Sequence, residues 1–165
     1  LCGCARDAVQ QTIEQFATLH HRLEFVLEHK GIRFYNDSKA TNVGSVVSAL
    51  ESMSPPLILI AGGKDKGGEY DPLIPLLKEK VKALVLIGEA RQKMREALKS
   101  STTIFLADSL EDAFRRSVAK AAPGDTILLS PACSSFDMFA SYEQRGDAFS
   151  ALVRRFAGNQ DQGSA

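Results

Sequence analysis

The chain reads as an α/β domain: a Rossmann-like, mostly parallel sheet flanked by helices and entered through an N-terminal hairpin. Three observations predict this. From His21 onward the hydrophobic period switches repeatedly between the two-residue repeat of strands and the 3.6-residue repeat of helices. Residues 57–61 form a continuous apolar run of strand length, as expected of a parallel strand buried on both faces. Two short strand patterns flank Lys30 and Gly31, turn residues that predict a hairpin.

The elements follow in order. Residues 42–51 have the pattern of a first helix, stopped before Pro55 and Pro56. After the strand at 57–61, Asp71-Pro72 opens a helix, since proline is tolerated in the first turn. Residues 83–87 read as a strand, 90–98 as a helix and 103–106 as a strand. Ser109 is the expected N-cap of the next helix, with Asp112 three residues on in a capping-box position. Pro123, Gly124 and Asp125 make a turn, 126–129 the last strand, and 138–156 the final helix. Strands alternating with helices imply βαβ units, whose right-handed crossovers bring the parallel strands' C-terminal ends to one sheet edge.

Composition narrows the function. At 165 residues, 44% hydrophobic and 24% charged, the chain has the size and composition of one globular domain. Lys plus Arg equals Asp plus Glu at 20 each, which removes the basic excess of a nucleic-acid partner. No apolar run approaches the roughly 18 residues that cross a bilayer, so no membrane association is expected and the expected compartment is the cytoplasm. Cys2, Cys4 and Cys133 have no zinc-ligand spacing to a histidine pair and read as reduced thiols. Residues 1–20, with Ile13, Phe16 and Leu19 on one helical face and His20–His21 at its end, are expected to belong to a preceding domain or linker. The domain itself is expected over 21–157, with 158–165 a flexible tail.

In an open α/β sheet, ligands sit beyond the carboxyl ends of the strands. Three segments after strands are rich in polar residues: NDSKATN (36–42), GGKDKGG (62–68) and SPACSSFD (130–137). By contrast, Gly88-Glu89 and Ala107-Asp108 are short connections with little chemistry. The three loops bring Lys39 and Lys66 as cations and Thr41, Ser134 and Ser135 as hydroxyls. Helix starts near Asn42 and Asp137 add backbone N–H groups, and together these make a receptor for carboxylates or phosphates. The same residues are also common turn and cap formers. Cys133 has no partner histidine and reads as a buried thiol rather than a nucleophile. There is no P-loop motif, and no G-x-G-x-x-G of the dehydrogenase type after the first strand. Spacing alone therefore implies an α/β domain that binds a small anion.

HRLE (21–24), NDSKATN, GGKDKG (62–67) and SPACSSFDMFASYEQRG (130–146) together resemble the C-terminal domain of the Mur ligase family, and within it the D-glutamate-adding branch. The resemblance covers residues 21–156. It implies a three-domain ATP-dependent amide ligase of peptidoglycan synthesis, expected to be a monomer. An N-terminal domain would hold UDP-N-acetylmuramoyl-L-alanine, a central domain would carry the P-loop and the Mg2+ ligands, and this domain would close over both. The resemblance implies that Arg22 and Asp37 face ATP, with Arg22 against the phosphates. Lys39, Thr41, Lys66, Ser135, Phe136 and Tyr142 would form the D-glutamate pocket, Phe136 through its backbone. Lys39 would orient substrate, and no metal ligand or nucleophile is expected in this stretch. The chain alone is expected to be inactive. A stand-alone small-anion-binding module and a sister Mur ligase domain are the alternatives.

Overall fold

The computed structural model describes residues 19–161. Cys2, Cys4, Ile13 and Phe16 lie outside the described residues. Strands β1 (Glu24–His29) and β2 (Ile32–Asn36) form the expected hairpin. Its two-residue turn has positive φ at both Lys30 (52°) and Gly31 (75°), the backbone that matches the twist of antiparallel strands. Four more strands follow: β3 (Leu57–Gly62), β4 (Val81–Ile87), β5 (Thr103–Leu106) and β6 (Thr126–Leu129). The sheet order is β1-β2-β6-β3-β4-β5, and every pair except β1–β2 is parallel.

Alternation in the central strands feeds two cores. Leu57, Leu59 and Ala61 of β3, with Leu84 and Leu86 of β4, face α1 (Val43–Ser52), α2 (Ile74–Lys80) and α3 (Arg91–Leu98). Ile58 and Ile60, with Val85 and Ile87, face α4 (Leu110–Lys120) and α5 (Tyr142–Asp161) on the other side. Both faces of β3 are covered, which is why its sequence is an unbroken apolar run.

The helix ends follow their predicted caps in most places. Asn42 caps α1 by accepting Ser45 N–H at 2.9 Å, and Ser109 caps α4 by accepting Asp112 N–H at 3.1 Å. Asp112 does not complete a capping box on Ser109; its carboxylate accepts the N–H of Asp108, one residue earlier. Asp71-Pro72 opens a short 3-10 turn (Asp71–Leu73) before α2 begins.

One expectation is corrected at the last helix. It starts at Tyr142 rather than residue 138, because Ser135 carbonyl accepts both Met138 and Phe139 N–H in a separate turn. Ser141 and Gln144 then cap the true start, Ser141 Oγ accepting Gln144 N–H and Gln144 Oε1 accepting Ala140 N–H. The helix runs through Asp161.

Candidate functional site

The three polar loops follow β2, β3 and β6, which are adjacent in the sheet, so the topology collects them at one place. Backbone bonds then join them. Asp37 N–H donates to Leu129 carbonyl at 2.8 Å, Ala132 N–H to Ala40 carbonyl at 3.0 Å, and Gly62 N–H to Pro131 carbonyl at 2.8 Å. Lys64 and Ser134 form an isolated antiparallel bridge, Lys64 N–H donating to Ser134 carbonyl at 2.9 Å. Ala132 holds φ 60°, a left-handed conformation unusual outside glycine, at the centre of this junction.

Arg145 locks the junction from beneath. It is fully buried, with Nε donating to Ser38 Oγ at 2.9 Å, one terminal nitrogen to Ser38 carbonyl at 2.9 Å, and the other to Cys133 carbonyl at 3.2 Å. Ser38 Oγ in turn donates a hydrogen bond to Tyr142 carbonyl at 2.8 Å. No carboxylate forms an ion pair with Arg145 among the described residues, and burial pulls its guanidinium down to about 10. Sequence reading missed this residue, because an arginine early in a helix looks like a solvated one; its place in the quoted QRG run was the available signal.

His21 is buried, 5% exposed, with φ 61° and its Nδ1 2.9 Å from Asn36 Nδ2; the helix expected before it lies outside the described residues. Asn36 also donates to Gly146 carbonyl, and its Oδ1 accepts Ser38 N–H. A Cβ on Gly146 would stand 2.3 Å from His21 Nδ1, so the glycine of the QRG run makes room for the imidazole.

The expected site residues fall into two groups. Lys39 and Tyr142 come together, Lys39 Nζ lying 5.6 Å from the ring centroid, and they line a cleft of about 440 Å3 with His20, His21 and Asp147. Arg22 and Asp37 line a different cleft, of about 420 Å3, along the exposed serines of α1. Thr41, Lys66, Ser135 and Phe136 line neither. Lys66 is exposed on the 62–68 loop, two residues beyond the Lys64 bridge. Ser135 is 1% exposed, while the Phe136 side chain turns outward, 65% exposed.

Asp37 is buried, 4% exposed, with both carboxylate oxygens engaged, one by Ser130 Oγ at 2.7 Å and the other by Leu23 N–H at 3.2 Å. Burial raises its pKa above the ordinary carboxylate value, against the lowering effect of those two hydrogen bonds and of Arg22. Cys133 is buried beside Tyr70, whose hydroxyl lies 3.4 Å from Sγ, and burial pushes the thiol up, as an inert structural cysteine requires. Asp137 is not a helix cap; it accepts Glu89 N–H at 2.9 Å and packs against Gly88, so the short β4 connection also belongs to the junction.

Among the described residues, one group of His, Cys, Asp and Glu side chains has the proximity to hold a metal: His20, His21 and Glu24. Two imidazoles suit Mg2+ poorly, since that ion takes oxygen ligands. These three side chains lie at the entry to β1, outside the three polar loops.

Residues 21–133 match the family model described as "Mur ligase, glutamate ligase domain". The chain belongs to this family. Over 154 residues it is 55% identical to the UDP-N-acetylmuramoylalanine–D-glutamate ligase of Geotalea uraniireducens, covering 93% of this chain and 34% of that protein. The ligase of the same name from Caldanaerobacter subterraneus is 47% identical over 157 residues, covering 93% and 35%. The chain thus spans about a third of the length of the curated relatives it matches. Solved Mur and folate ligases share its fold at low identity. The bifunctional folylpolyglutamate synthase/dihydrofolate synthase of Yersinia pestis has a TM-score of 0.62 at 18% identity, covering 90% of this chain and 34% of that one. The MurF ligase of Thermotoga maritima in complex with ADP has a TM-score of 0.57 at 15% identity, covering 90% and 37%. The mixed sheet with its antiparallel β1–β2 hairpin is thus the Mur ligase C-terminal fold.

Proposed function

We propose that this chain is the C-terminal domain of an ATP-dependent ligase that joins D-glutamate to UDP-N-acetylmuramoyl-L-alanine, and that it orients D-glutamate and covers ATP. The observation that carries this reading is the convergence of the three loops. Their two expected substrate lysines, Lys39 and Lys66, make no ion pair among the described residues, so both charges are available to an anion. D-glutamate brings two carboxylates, and charge-assisted bonds from two lysines complement them.

In the intact enzyme, ATP would phosphorylate the L-alanine carboxylate of the UDP-sugar. The D-glutamate amine would attack that acyl phosphate carbon, forming the amide, releasing phosphate and giving up a proton. Nothing in the three loops is a candidate nucleophile, so the contribution of these residues is orientation and electrostatic complementarity. Arg22, exposed at the mouth of the α1 cleft, would meet the phosphates. Asp37, already doubly hydrogen-bonded, would act on the nucleotide side by holding the Leu23 and Ser130 backbone segments in place. Magnesium would be held by the central domain that the resemblance implies.

The direct test is Lys66→Ala in the full-length ligase. Loss of one charge-assisted contact is worth about 1.5–3 kcal/mol, so KM for D-glutamate should rise roughly ten- to a hundredfold while KM for ATP stays near its original value. Equal or greater damage at ATP would overturn the assignment of this loop to D-glutamate.

A further inference from the structure

We propose that Asp65 is the positioning residue for Lys66, holding the tip of the 62–68 loop in the shape that presents the lysine to a substrate carboxylate. The proposal rests on the reading of Lys66 as a D-glutamate ligand.

Lys66 stands between Asp65 and Gly67, and Asp65 binds across it. Its Oδ1 accepts the Gly67 N–H at 3.0 Å, closing an Asx turn around the lysine backbone, and also accepts the Tyr70 hydroxyl at 3.2 Å. Its Oδ2 accepts Lys93 Nζ at 2.8 Å, which ties the tip to α3. Lys93 Nζ is in turn 5.7 Å from the centroid of the Tyr70 ring. Tyr70 is 2% exposed, and its hydroxyl reaches Cys133 Sγ, so the anchor continues into the loop that carries Ser135. The root of the loop is fixed separately by the Lys64–Ser134 bridge. The side chains of Asp65, Tyr70, Lys93 and Cys133 are engaged with one another, while Lys66 is exposed.

Two physical consequences follow. A tip containing Gly67 and Gly68 would be mobile without the turn, and a substrate would have to order it on binding. The Lys93 bond also holds the Asp65 carboxyl below its ordinary value, so it stays ionised through the neutral range. Its charge is then neutralised by Lys93 rather than by its neighbour, which keeps the Lys66 cation for an incoming carboxylate.

The experiment is a steady-state comparison in the full-length ligase, with D-glutamate and ATP varied separately. Asp65→Ala should raise KM for D-glutamate about tenfold, leaving kcat and KM for ATP within about twofold. Asp65→Asn keeps an amide oxygen for Gly67 and Tyr70 but loses the Lys93 ion pair, so it should rescue most of the loss. In a Lys66→Ala background, Asp65→Ala should raise KM no further, because the residue it positions is gone. An unchanged D-glutamate KM in Asp65→Ala, beside a raised one in Lys66→Ala, would overturn this proposal alone. Additive effects in the double variant would overturn it too. An unchanged KM in Lys66→Ala itself would remove the D-glutamate reading, and this proposal with it.

Discussion

Arg145 and Arg91 both donate to backbone carbonyls at the ends of strands, one in the β2–β6–β3 half of the sheet edge and the other in the β4–β5 half. Arg145 is fully buried and binds Ser38 and Cys133 without an acid. Arg91 binds Ala107 carbonyl at 2.9 Å and Asp108 at 2.7 Å, but its side chain is 34% exposed and that of Asp108 is 88% exposed. The difference separates two uses of the same chemistry. Where three loops must hold one geometry, a rigid fork is buried among carbonyls that have no water to replace it. Where a strand merely turns into a helix, the guanidinium is partly exposed and its acidic partner lies in solvent, so the pair secures little.

The largest expected effect tests that contrast. Arg145→Met leaves buried carbonyls without a donor, at about 1–3 kcal/mol for each, and should destabilise the domain by about 3 kcal/mol in urea denaturation. Arg91→Met should cost less than about 1 kcal/mol by the same measurement. Equal losses would erase the distinction between the two halves. Next in size is Gly146→Ala, whose Cβ would stand 2.3 Å from the buried His21 ring. Displacing that ring from Asn36 should cost about 2 kcal/mol, within the range of overpacking.

The smallest effect sharpens the electrostatics of the same half. Burial raises the Asp37 pKa, so protonated Asp37 is favoured in the folded state relative to the unfolded. The stability this gives is fully present below the unfolded carboxylate value and is lost as pH rises through the folded one. Asp37→Asn should remove that dependence, so the stability difference, wild type minus variant, should fall as pH is raised from 3.5 to 7. A difference that grows with pH would show that the hydrogen bonds from Ser130 and Leu23 outweigh burial.

Much of the fold was legible because each signal was local. The apolar run at 57–61, the Lys30–Gly31 turn and the Asn42 and Ser109 caps each depend on neighbours in sequence. The place of β6 between β2 and β3 was not, since parallel pairing between distant segments leaves no local mark. The three loops were legible as strand ends, yet their junction was not, because Arg145, His21 and Gly146 look ordinary until Asn36 and Ser38 are beside them. The burial of Asp37 was not legible, since nothing in its sequence neighbourhood announces that Ser130, 93 residues away, binds its carboxylate. The late start of α5 was hidden for the opposite reason: the 135–141 turn contains apolar residues at helical spacing, and only Ser141 and Gln144 mark the true cap.

The central claim is that these loops orient D-glutamate for ligation, and phosphate release by the full-length protein tests it most directly. With ATP, Mg2+ and UDP-N-acetylmuramoyl-L-alanine present, D-glutamate, L-glutamate, L-lysine and diaminopimelate are offered in parallel. Phosphate released with D-glutamate alone is the predicted result. Release with another amino acid, or with none of the four, would contradict it.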